Sequence, residues 1–185
     1  MPVPIRRLVV ALTLCCALLA GSTAYASSET HSRDTGPVTA ATPSPSTSAE
    51  KQKYAKARFV ANAALAAGAT YQWIVKPWKE GKFKKGAQGR KAALAKAGLA
   101  GAFTYNRLKA AVRNAKGDPT LSKALAPLIA GIDGLKGLPA KLRQGDGNAV
   151  DTFGDVVNKV KDAGKSAGAP VKDKVPSDSQ LTQGG

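Results

Sequence analysis

From residue 121 to residue 142 the apolar side chains Leu121, Leu125, Leu128, Ile132, Leu135 and Leu142 recur at close to a 3.5-residue interval. A helix has 3.6 residues per turn, so this spacing lines one helical face with large aliphatic groups and demands a partner surface to cover it. No stretch between residues 48 and 170 shows the period-two alternation of a half-buried strand, and alanine dominates the remainder. The chain is therefore expected to be all-α.

Punctuation divides this region into four helical segments. Thr47 with Glu50 three residues later fits a capping box, and the first helix is expected over residues 48 to 75, ending before Pro77. Ala57, Ala61, Ala64, Gly68 and Tyr71 give it a thin apolar face, with small residues that admit a close neighbour. The second helix is expected to start between Phe83 and Arg90 and to run to about Ala115, with Leu94, Ala97, Gly101, Tyr105, Leu108 and Val112 on one side. In "KGDP", Asp118 is placed to cap the third helix and Pro119 to occupy its first turn, while Pro127 and Pro139 are expected to kink or split it. The fourth follows "RQGDGN", capped by Asp146 or Asn148, and carries Val150, Phe153, Val157, Val160, Gly164 and Ala167. Four helices with short connections are expected to form an antiparallel up-down four-helix bundle, residues 48–170; an irregular bundle with a broken third helix is the alternative.

The flanks differ in kind. Residues 1–26 read as a signal peptide, with Arg6 and Arg7 before an apolar run from Leu8 to Ala20 and an Ala24-Tyr25-Ala26 cleavage site. That run, about 13 residues, is short for a bilayer core of roughly 30 Å, so a secreted protein without a transmembrane segment is expected. Residues 27–47 ("SSETHSRDTGPVTAATPSPST" in the main) form a Ser/Thr/Pro-rich linker and residues 171–185 a tail; both are expected to be disordered, because neither offers enough apolar surface to offset the entropy of ordering.

Most catalytic chemistries lack their residues here. Cys15 and Cys16 lie in the leader, leaving no cysteine for a disulfide, a thiolate nucleophile or a metal site, and the one histidine, His31, stands alone in the linker. Haem would need an axial His or Met, and a di-iron site Glu-x-x-His pairs, so no cofactor and no metal is expected. "GKSAG" at Gly164 to Gly168 matches the letters of a nucleophile elbow without the preceding strand that the turn requires. Asp151, Asp155 and Asp162 could supply a carboxylate pair, but with Lys159 and Lys161 close behind they read as a solvated face that balances its own charge. A non-enzymatic protein is expected.

Charge is what remains. The chain carries 28 Lys and Arg against 12 Asp and Glu. Residues 51 to 116 hold 16 of those cations and a single acid, Glu80, whereas residues 117 to 185 are nearly neutral. Within the basic half, "YQWIVKPWKEGKFKKGAQGRK" places Lys76, Lys79, Lys82, Lys84, Lys85, Arg90 and Lys91 among Tyr71, Trp73, Trp78 and Phe83. The seven cations are the candidate polyanion-binding residues, and Trp78 and Phe83 the candidate interface aromatics; Tyr71 and Trp73 fit a plug for the end of an alanine-rich bundle. Lysine outnumbers arginine, which favours diffuse attraction over bidentate base readout, so the expected partners are an anionic cell-envelope polymer or anionic lipid head groups ahead of nucleic acid. An interaction module, inhibitor or chaperone of another exported protein, is the second functional expectation. The oligomeric state is left open.

The A-Y-A site, the Ser/Thr/Pro linker and "KKGAQGRKAALAKAGLAGAFTYNRLKAA" resemble the small, Ala- and Lys-rich secreted helical proteins of unassigned function from high-GC Gram-positive bacteria. The resemblance implies an extracellular bacterial protein and implies no catalytic residue.

Overall fold

Thr47 opens the first helix as its composition requires. In the computed structural model, which describes residues 47–183, the Glu50 amide donates to the Thr47 hydroxyl at 3.1 Å and the Thr47 amide donates to the Glu50 carboxylate at 3.1 Å. This reciprocal cap satisfies two amides that would otherwise lack acceptors. The expected signal peptide and nearly all of the expected linker lie outside the described residues.

All regular structure among the described residues is helical. Helix α1 (Ser48–Thr70) passes directly into a π turn (Tyr71–Val75) and a short α2 (Lys76–Lys79). The backbone thus continues through Pro77, where a stop was expected. A proline inside an α-helix strikes the carbonyl four residues earlier and removes a hydrogen bond; here the preceding turn is widened, the Lys76 amide reaching back to the Tyr71 carbonyl, and Pro77 falls at the start of a fresh α-turn. Helix α3 (Arg90–Ala115) follows a loop, and the proline-bearing third segment divides into α4 (Pro119–Leu125), α5 (Ile129–Gly134) and α6 (Leu138–Gln144), joined by 3₁₀ turns at Ala126–Leu128 and Leu135–Gly137. Both 3₁₀ turns adjoin or contain the prolines expected to split it. Helix α7 (Gly147–Ser166) and a short α8 (Asp178–Gln183) complete the described chain.

Asp118 caps α4, accepting from the Leu121 amide at 2.8 Å, and Asp146 caps α7, accepting from the Asn148 amide at 2.9 Å. Of the leucine repeat, Leu121, Leu125, Ile132, Leu135 and Leu142 are buried and Leu128 packs at the margin. All six apolar positions expected on α7 are buried. On α1 the expected face holds only in part: Ala64 and Gly68 are buried, but Ala57, Ala61 and Tyr71 are exposed, and the rest of the core face is Ala55, Phe59, Ala63, Ala66, Ala67 and Thr70. Phe59, fully buried, sets the phase that alanine alone leaves undefined.

Two pairs of neighbouring helices run antiparallel. Ala55 lies against Gly117 while Thr70 meets Thr104, their hydroxyls 3.0 Å apart, so α1 and α3 run in opposite directions. Phe59 lies against Gly164 and Val75 near Gly154, which sets α7 antiparallel to α1. Gly101 of α3 leaves room for Leu142 and Phe153; a Cβ there would come within 2.8 Å of the first and 3.2 Å of the second.

The tail departs most from expectation. Residues 171 to 183 are placed, not unstructured: the Lys174 amide donates to the Ala64 carbonyl of α1 at 2.9 Å, Pro176 and Leu181 are buried, and Asp178 pairs with Lys96 of α3 at 2.9 Å. Gly68 explains the close crossing. A Cβ at that position would overlap the Lys174 carbonyl and sit 2.6 Å from the Val175 nitrogen. The small residue of α1 admits an extended strap, where a neighbouring helix was expected.

Candidate functional site

The segment from Lys76 to Lys91 joins α2 to α3 as a chain of tight turns. Amides of Gly81, Lys82, Lys84, Ala87 and Arg90 donate to the carbonyls of Trp78, Pro77, Gly81, Lys84 and Ala87 over 2.9 to 3.1 Å. Gly81, Gly86 and Gly89 sit at φ of 70°, 85° and 72°, the left-handed region that other residues resist. A loop so closely self-bonded holds its lysines outward at defined positions.

Lys76, Lys79, Lys82, Lys84, Lys85 and Lys91 are all exposed. Among the described residues none of them is in an ion pair; the pairs that form use Lys56, Lys96, Lys109 and Lys161 instead. Lys109 illustrates the contrast, since its hydrogen bond from Nζ to Asp133 at 2.6 Å raises its pKa above the ordinary lysine value. Arg90 behaves differently from the lysines. It is half-buried, and its Nε donates to the Phe83 carbonyl at 2.9 Å, so it braces the loop. Helix α3 begins at Gly89 without a side-chain cap, leaving the positive end of its dipole beside Arg90 and Lys91.

The two candidate aromatics divide. Trp78 is 37% exposed, but Phe83 is only 3% exposed, which corrects its expected place at an interface. Phe83 anchors the loop to the core, its ring 6.0 Å from that of Trp78 and tilted by 57°. The expected plug also divides: Trp73 is half-buried against the core with Lys96 Nζ 5.4 Å from its ring centre, whereas Tyr71 is 52% exposed.

Tyr71 and Trp78 instead border a cleft of about 390 Å³ that the sequence did not reveal. One wall is the π turn and α2, contributing Tyr71, Val75, Trp78 and Lys79; the other is α7, contributing Asp151, Gly154, Asp155 and Asn158. Ala67 and Thr70 of α1 also line it, and Asp173 of the strap with Lys161 closes one end. Gly147 lets the Trp78 ring lie against the first turn of α7, a Cβ there falling 2.7 Å from Cζ2. Lys161 is bound to Asp173 at 2.6 Å, so it does not balance Asp151 and Asp155 in the way the spacing suggested. Both of those carboxylates are exposed, without an ion-pair partner among the described residues.

No protein-family model, curated protein or solved structure matches this chain. Its geometry must supply the functional argument. Among the described residues no three His, Cys, Asp or Glu side chains are grouped to hold a metal ion, and no helix is long and apolar enough to cross a membrane. Ser166, the serine of "GKSAG", ends α7 with its hydroxyl donating to the Ala163 carbonyl at 2.9 Å. It caps a helix end, with no strand before it.

Proposed function

We propose that this protein is a secreted, non-enzymatic, basic helical protein that attaches to a polyanionic surface, a cell-envelope polymer or an anionic membrane, through residues 71–91. The observation that carries the reading is the row of six exposed lysines on a turn-rich loop, none in an ion pair among the described residues. Cations already neutralised by carboxylates would release few counterions on binding; these retain their full attraction for an external anion. The uncapped start of α3 adds a partial positive charge to the same end of the molecule.

The scaffold proposed for this surface is an up-down four-helix bundle, its third member broken into α4, α5 and α6. The antiparallel placement of α1 against α3 and of α1 against α7 supports it. Contact area would come from Trp78 alone of the two aromatics first considered, because Phe83 is committed to the core.

Co-sedimentation of the protein with isolated envelopes and with anionic liposomes, across a series of salt concentrations, tests the proposal. The variant carrying Lys82→Gln, Lys84→Gln, Lys85→Gln and Lys91→Gln is expected to bind more weakly, with a shallower dependence on salt, by about one unit of log-log slope per lost anion contact. Equal binding by this variant, or binding that holds as salt rises, would overturn the reading.

A further inference from the structure

A strongly basic protein that leaves two carboxylates unpaired beside exposed aromatic rings is arranged against its own average charge. Asp151 and Asp155 stand one helical turn apart on α7, with Gly154 between them on the side facing the π turn; the nearest atom to a Cβ at Gly154 would be Val75 Cγ2 at 3.9 Å. The missing side chain keeps the cleft open. Across it, the widened turn Tyr71–Val75 rephases the helix so that Tyr71, Val75 and Trp78 share one wall. Single π turns inside helices recur at functional sites for this reason, since they re-aim side chains at a cost in backbone geometry.

The ring faces of tyrosine and tryptophan carry negative electrostatic potential and attract cations, most strongly where water is partly excluded. Carboxylates beside them add a full negative charge. The one cation able to neutralise the end of the cleft, Lys161, is held by Asp173, and Lys79 at the rim is not within ion-pair distance of either free carboxylate. Asp151, Asp155 and Asp173 against Lys79 and Lys161 leave the lining one net negative charge, which disfavours an anion and offers nothing to a neutral sugar. At about 390 Å³ the volume suits a small ligand or a head group.

We propose that this cleft binds an organic ammonium ion, a protonated or quaternary amine seated between the Tyr71 and Trp78 rings and the Asp151 and Asp155 carboxylates. The site shares Tyr71, Trp78 and Lys79 with the basic segment but lies apart from Lys82, Lys84, Lys85 and Lys91, and its ligand is of opposite charge. Binding here does not depend on attachment of the loop to a polyanion.

Choline chloride is the probe, titrated into the whole protein at constant ionic strength and followed by calorimetry and by tryptophan emission. The Trp73→Phe variant leaves Trp78 as the sole emitter. Saturable binding of choline is expected, with affinity at least about tenfold above that of 3,3-dimethyl-1-butanol, its uncharged isostere. Asp151→Asn combined with Asp155→Asn is expected to lower choline affinity about tenfold with the far-ultraviolet circular dichroism unchanged, and Tyr71→Ala to lower it several-fold. The four-lysine variant should bind choline as the parent does, which separates this site from the loop. Calorimetry on the unsubstituted protein stands even where a variant fails to fold. Absence of saturable choline binding, equal binding of the isostere, retention of affinity in the double Asn variant, or preference for neutral N-acetylglucosamine would each overturn the proposal.

Discussion

Replacing Gly68 by alanine should destabilise the protein, although the same change in most helix interiors stabilises. Alanine in place of glycine ordinarily gains about 1 kcal/mol in a helix. At Gly68 the added methyl would occupy the space of the Lys174 carbonyl and approach the Val175 nitrogen to 2.6 Å, and both are backbone atoms that cannot swing aside. The strap must lift. Lifting it forfeits the Lys174 to Ala64 hydrogen bond, about 1 kcal/mol net, and the burial of Leu181, about 1.5 to 3 kcal/mol. The freed segment regains chain entropy, which offsets part of that loss. A net destabilisation of about 1 to 2 kcal/mol remains after the helical gain is included, read as a lower urea midpoint at unchanged slope. Amide exchange at Lys174 should accelerate in the variant. In a chain ending at residue 170 the sign should reverse, with Gly68→Ala stabilising by about 1 kcal/mol. A full-length variant as stable as the parent, or more stable, would refute the strap's close seat on α1.

Two further substitutions test the core and its caps by urea denaturation. Thr104→Val removes the partner of the buried Thr70 hydroxyl and should cost about 1 to 3 kcal/mol, while Thr70→Val with Thr104→Val together should cost less than Thr104→Val alone, because no hydroxyl is then left without a partner. Asp118→Ala deletes a buried cap of α4 and should cost about 1 to 2 kcal/mol; its Lys56 contact at 3.6 Å is partly exposed and adds little.

Caps and the leucine face were legible because they depend on short-range rules: a Thr and a Glu three residues apart, an Asp before a Pro, an aliphatic group every three or four positions. The phase of α1 was not, since a helix with alanine on nearly every side buries whichever face a neighbour reaches, and Phe59 decides that only once α7 is in place. Phe83 read as a surface residue because five lysines surround it in sequence, yet left-handed glycines let the loop turn it inward while every lysine stays in water. The tail looked too polar to order. Leu181, Pro176, one backbone hydrogen bond and the ion pairs of Asp173 and Asp178 place it, and the close crossing needs Gly68 elsewhere in the chain. The cleft was hidden for the same reason: Tyr71 and Asp155 are distant in sequence, and nothing in either local pattern announces the other.

The strap has a consequence for the order of events in folding. Its hydrogen bond links residue 64 to residue 174, so the groove on α1 that receives it is an early-made surface waiting for a late-arriving segment. Contacts between such distant positions carry a high loop-closure entropy and form after local helices and their nearest pairings. Until then Gly68 is a weak point in an otherwise alanine-rich helix, exposed to water and without the neighbour for which its small size is suited. Seating the strap is thus the natural final step of folding, and the first contact expected to open when the folded protein begins to come apart.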